Sequence, residues 1–150
     1  MIVSSLRMDE KLAQSGYGKN QIIFFTKVAN DYPDFNVKFG NKFSFRPPRA
    51  ITIGPYEPGA ELLALHEFGH AISKHRNFKM GVERLKMELE AWEKARALAA
   101  KYEVDFDDDL MERELDTYRD WLHQKSRCPK CGLTRFQTPD GVYHCPRCEI

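Results

Sequence analysis

Residues 59–75, Gly-Ala-Glu-Leu-Leu-Ala-Leu-His-Glu-Phe-Gly-His-Ala-Ile-Ser-Lys-His, hold an H-E-x-x-H stretch, His66 to His70, inside an apolar run. The run predicts a helix over about 59–75, with Pro58 suited to its first turn. An α-helix turns about 100° per residue, so His66 and His70 project from one face, about 40° apart. Two imidazoles so spaced can hold one Zn²⁺, and Glu67 lies near enough to reach a water on that ion. Gly69 costs a helix about 1 kcal/mol relative to Ala. Its presence predicts that another element, or a substrate backbone, passes close to the helix there. Leu62, Leu63, Leu65, Phe68 and Ile72 make the helix largely buried, and buried imidazoles require partners.

Working upstream, residues 4–14 suggest a short helix with Leu6, Met8 and Leu12 as its apolar positions, ended by Gly16 and Gly18. A clearer helix is predicted from about Lys19 to Tyr32, capped by Asn20, with Ile22, Phe25, Val28, Ala29 and Tyr32 as its buried face. The period then changes to two: Phe35, Val37 and Phe39 alternate with polar residues, Gly40-Asn41 offers a hairpin turn, and Phe43 and Phe45 continue the alternation. Ala50 to Ile53 form one more strand. These signals predict an α+β fold in which a small antiparallel sheet packs one face on helices.

Downstream, a helix is expected over about 82–102 and another from a cap at Asp107 to about Gln124, with Leu110, Met111, Leu115, Tyr118 and Leu122 as core positions. On the 82–102 helix, Leu85, Leu89, Ala91, Trp92, Ala95, Leu98 and Ala99 share one side. Glu88 falls near the middle of that side, whereas Glu90 falls on the solvated side. A carboxylate in the centre of an apolar face is costly unless paired or metal-bound, which makes Glu88 the candidate third ligand of a His66–His70 zinc site. On a continuous helix His75 would point about 140° away from His70, so it is expected to act only as a helix-terminal cation.

At the C-terminus, Cys128-Pro-Lys-Cys131 and Cys145-Pro-Arg-Cys148 are two C-x-x-C knuckles separated by thirteen residues. This spacing predicts a Cys₄ zinc ribbon folded by its metal, with Pro139-Asp140-Gly141 turning between two short strands. The expected domains are therefore 1–124 and 125–150, with two Zn²⁺ per chain. Thiolate ligands argue for a reducing compartment, and a cytoplasmic location is expected. The chain has 42% hydrophobic and 30% charged residues and a net charge of +1. That balance is globular, with no global field toward nucleic acid or membranes, and no apolar run reaches the ~18 residues of a membrane span. The ribbon carries a small positive excess, a weak signal for nucleic acid.

The His66-Glu67-Phe68-Gly69-His70 helix, followed by Glu88-Leu89-Glu90-Ala91-Trp92, resembles the gluzincin metallopeptidases, most closely the ImmA/IrrE-type branch. The resemblance covers about residues 50–100. It implies a zincin-like domain in which Glu88 is the third zinc ligand, with Glu90 as the alternative two residues on. It departs from the pattern at Trp92, where related proteins often place Asn or Asp, which leaves the orientation of the two histidines unexplained. The order of an HExxH domain and a C-terminal ribbon also resembles SprT-like proteases, but the third His those use is lacking.

Together these features imply zinc-dependent hydrolysis of peptide bonds, with Glu67 as general base and a protein or peptide as substrate, a regulatory protein by the family's habit. The strand near Ala50–Ile53 is expected to bind the substrate backbone, and Tyr56, Tyr102 and Tyr118 are the candidates to stabilise the oxyanion. The competing expectation is a non-catalytic module whose zinc sites are scaffolding and whose ribbon docks on nucleic acid or a partner protein.

Overall fold

A computed structural model describes residues 15–148; the helix expected over 4–14 lies outside them. The described residues form an α+β structure with four helices and two small sheets: α1 (Lys19–Asp31), β1 (Asn36–Phe39), β2 (Ser44–Arg46), β3 (Ala50–Ile53), α2 (Ala60–Ile72), α3 (Gly81–Lys101), α4 (Asp108–Ser126), β4 (Phe136–Gln137) and β5 (Tyr143–His144). Residues 15–76 and 90–107 make one compact unit, and residues 77–89 and 108–148 make a second. The expected division at 124/125 follows the chain, whereas this one does not, because α3 begins in the second unit and ends in the first.

In the first unit α1 starts at Gly18 rather than at Asn20. The Gln21 side chain reaches back to accept the Gly18 amide at 3.0 Å, which leaves Asn20 inside the first turn. Phe25, Val28 and Ala29 are its buried residues, and Phe25 sits edge-on to Tyr17. The chain leaves α1 at Tyr32, ahead of Pro33, as the restriction on residues before proline requires.

The sheet has the order β1-β3-β2 and is mixed. β3 pairs parallel with β1, Val37 opposite Ile51, and antiparallel with β2, Phe45 opposite Ile51. This corrects the antiparallel sheet expected from the Gly40-Asn41 turn. The Gly40 amide donates to the Ile53 carbonyl at 2.9 Å, so β3 occupies the place beside β1 that a hairpin partner would have taken. The cause is apolar content: Ile51 and Ile53 are both fully buried, and the strand that buries most is best placed in the centre with both edges paired. With both edges used, β3 cannot take up a substrate strand, which corrects the expectation for Ala50–Ile53.

α2 packs on β3 and β2 and is buried around nearly its whole circumference, from Ala60 to Ala71. A helix apolar on all sides belongs in a core, and here it carries the polar His66, Glu67 and His70 with it. Gly69 is where α3 passes: a Cβ there would strike the Ala91 carbonyl group. Of the two causes expected for this glycine, a crossing element is the one observed. Along α3, Ala91, Trp92, Ala95, Leu98 and Ala99 are buried as expected, but Leu89, at the margin of that side, is exposed.

In the second unit, Glu83 accepts the amides of Lys79 and Met80 and so closes the start of α3. Leu110 and Leu115 are the buried residues of α4, whose first turn carries Asp108 and Asp109 against the positive end of its dipole. β4 and β5 pair antiparallel, Phe136 opposite His144, with the turn at Gly141 in left-handed backbone. No helix among the described residues is long and apolar enough to cross a membrane.

Candidate metal centre

The helical repeat of α2 brings His66, Glu67 and His70 together. Their ligand atoms lie within 4.8 Å of one another, and the residues are 6%, 8% and 7% exposed. The two imidazole centroids are 4.6 Å apart, and His66 Nδ1 lies 3.6 Å from Glu67 Oε1. Each ring is backed by an aromatic side chain from another element. The Trp92 indole stacks on His66 at 4.5 Å, and Phe45 of β2 lies parallel to His70 at 5.9 Å. The two imidazoles, each with an aromatic ring against it, together with the Glu67 carboxylate beside them, form a group that could hold a metal ion.

His75 joins this group, contrary to the expectation that it points elsewhere. The expectation assumed a continuous helix to residue 75, but α2 stops at Ile72. Lys74 turns the chain back with left-handed backbone at φ 57°, its amide donating to Ala71 and that of His75 to His70. These bonds are the two of a Schellman cap, and they fold His75 under the last turn of α2. Its Nδ1 then lies 2.9 Å from His70 Nδ1, and its Nε2 lies 2.9 Å from Glu90 Oε2. The His75 ring is 8% exposed, whereas the Glu90 side chain is 55% exposed. A positive φ at a lysine leaves no mark in the sequence, which is why this histidine could not be placed from it.

Within the second unit Glu88 is fully buried, a rank it shares with the largest apolar side chains. Tyr118 is its counterpart on α4. Burial, then the charge of Glu88, push the Tyr118 phenol up to about 12, although Arg84 donates to the same hydroxyl at 3.3 Å and works the other way. Of the other tyrosines, Tyr102 gives its hydroxyl to Asp31 at 2.6 Å, and Tyr56 is half exposed.

The four cysteines also converge. The sulfurs of Cys128, Cys131, Cys145 and Cys148 lie within 4.8 Å of one another, with Cys131 and Cys145 at 3.5 Å. That is far beyond a disulfide bond and close to the ~3.8 Å edge of a tetrahedron with Zn–S bonds of about 2.3 Å. The knuckles prepare some of the thiols for ionisation. Backbone amides of Cys131 and Lys130 bring Cys128 down to about 6. Burial opposes ionisation of Cys145, but the amides of Cys148 and Arg147 still hold it below the usual thiol range. Burial and the neighbouring sulfurs push Cys148 up to about 12. Without a cation the four cannot ionise together, and a divalent metal removes that conflict.

Comparison of the chain with family models, curated proteins and solved structures finds no match.

Proposed function

We propose that this chain is a zinc-dependent metallopeptidase of gluzincin type, closest to the ImmA/IrrE branch, with its four cysteines forming a zinc ribbon. The observation that carries the proposal is the group of His66, Glu67 and His70, buried together on one helix with an aromatic backing to each imidazole. A scaffold metal needs ligands only. A carboxylate beside two ligand histidines suits hydrolysis better, because it can accept a proton.

His66 and His70 would hold the catalytic zinc, with Glu88 as the third ligand that the sequence resemblance implies. Glu88 is proposed from its helical phase and its complete burial, and Glu90 is set aside because it serves His75. Zinc held there would supply a Lewis acid for the scissile carbonyl and a water ionisable near neutral pH. Glu67 accepts the proton of the attacking water and delivers it to the leaving amine. The substrate backbone would dock by strand addition on the outer edge of β2, whose Phe45 ring lies parallel to His70. Cys128, Cys131, Cys145 and Cys148 would hold a second, structural zinc. The proposed substrate class is a regulatory protein, in the reducing interior where thiolates persist. The ribbon is the proposed contact for nucleic acid or a partner protein.

The test separates enzyme from adaptor. Purified protein is expected to hold two zinc ions, one removed readily by chelators and one not. Glu67→Gln should retain both ions and its thermal stability while losing about 10²–10⁴-fold in cleavage. Partners captured by Glu67→Gln should be longer than those recovered with wild type. Equal amounts of intact partner with both proteins would make the chain a zinc-stabilised adaptor instead.

A further inference from the structure

The line of His70, His75 and Glu90 has a direction, and that direction follows from hydrogen-bond chemistry. A carboxylate only accepts, so the 2.9 Å contact with Glu90 requires the proton of His75 to sit on Nε2. A neutral imidazole carries one ring proton, which leaves His75 Nδ1 as an acceptor. Its 2.9 Å neighbour, His70 Nδ1, must then donate. With its proton on Nδ1, His70 has its lone pair on Nε2. We propose that His75 and Glu90 are positioning residues that lock His70 in this tautomer and present its Nε2 to the metal. The inference rests on the metal-centre reading above and concerns how that centre is prepared.

The arrangement accounts for Trp92, the departure noted in the sequence. Where a polar side chain on the third-ligand helix would orient a ligand histidine by hydrogen bonding, Trp92 instead holds His66 by stacking. The hydrogen bond that a metal-ligating histidine makes through its other nitrogen comes from the Schellman turn behind α2. Phe45 lies parallel to the His70 ring and limits its rotation, so the relay sets the proton while the phenyl ring sets the plane. Glu90 joins the line from the half-exposed surface of α3, two residues before Trp92.

The first experiment uses metal-free full-length protein, with the histidine tautomers read by long-range ¹H–¹⁵N correlation. Wild type should show His70 protonated on Nδ1. In His75→Phe and Glu90→Ala, His70 should move toward the Nε2-protonated form that free imidazole side chains prefer in water. The second experiment measures zinc affinity at the histidine site by chelator competition. Both variants should bind about 10–100-fold more weakly. Glu90→Gln, whose amide oxygen can still accept from His75, should restore most of the loss. Because Glu90 is exposed, Glu90→Ala should fold even if His75→Phe does not. An unchanged His70 tautomer with unchanged zinc affinity in Glu90→Ala overturns the proposal. A wild-type protein that takes no zinc at the histidines defeats the metal-centre reading instead, and the tautomer measurement still decides the relay.

Discussion

The Trp92 indole lies flat on the His66 imidazole, with centroids 4.5 Å apart and planes 12° from parallel. Trp92 is 1% exposed, and its other neighbour, Phe106, meets it edge-on. One side chain thus serves the core and the candidate site. Trp92→Ala should cost about 3–5 kcal/mol in a urea melt. The same stack makes Trp92 a reporter. In Trp121→Phe protein, which keeps Trp92 as the sole tryptophan, Co²⁺ should quench the emission, and His66→Ala should abolish the quenching.

Gly69 tests the crossing of α2 and α3. A methyl group there meets the backbone of Ala91, which cannot swing aside as a side chain can. Gly69→Ala should therefore destabilise by about 1–3 kcal/mol, although alanine is the better helix former. A neutral or stabilising result in denaturant unfolding would mean that the two helices sit further apart.

Gln137 ties the cysteine hairpin to the start of α3. Its oxygen accepts the Gly81 amide at 2.7 Å, and its nitrogen donates to the Gly141 carbonyl at 2.8 Å and toward that of Lys79 at 3.3 Å. Loading the cysteine cluster with Zn²⁺ and then removing the metal should loosen this hairpin and with it the first turn of α3. Hydrogen exchange at the Gly81 amide should accelerate on chelation at the cysteine site. Gln137→Ala should produce the same acceleration with metal in place, at a cost of about 1–3 kcal/mol for groups left without a partner.

Tyr102 predicts an alkaline effect. Burial first, then the hydrogen bond to Asp31, raise its phenol above the ordinary value near 10. A group whose folded pKa is raised contributes stability that is fully present below its unfolded pKa and lost as pH rises through the folded one. The stability gap between wild type and Tyr102→Phe should therefore be constant from pH 7 to about 9 and shrink above about 10. Paired urea midpoints at pH 8 and pH 11 would measure it.

How much of this molecule is legible in the chain depends on the range of the interaction. The helices, and the pairing of His66 with His70, follow from local periodicity, which needs nothing beyond neighbouring residues. The cysteine cluster was equally plain, because two C-x-x-C knuckles leave few other ways to satisfy four thiols. Partner choice in the sheet was not. Gly40-Asn41 is a sound local hairpin signal, yet the burial of Ile51 and Ile53 outweighed it and drew β3 between β1 and β2.

The sequence by itself determined which residue types meet on α2 and that another element or a substrate backbone comes close at Gly69, since side-chain phase and the lack of a Cβ are properties of the local chain. Only the tertiary structure decided what surrounds them. Trp92 reaches His66 because α3 crosses at Gly69, Phe45 reaches His70 because β2 lies under α2, and His75 reaches His70 because Lys74 adopts a backbone that its residue type does not announce. The first two depend on packing between segments far apart in sequence. The third is a local strain that a lysine tolerates because the capped helix end, and the ring it delivers, are held by the rest of the unit.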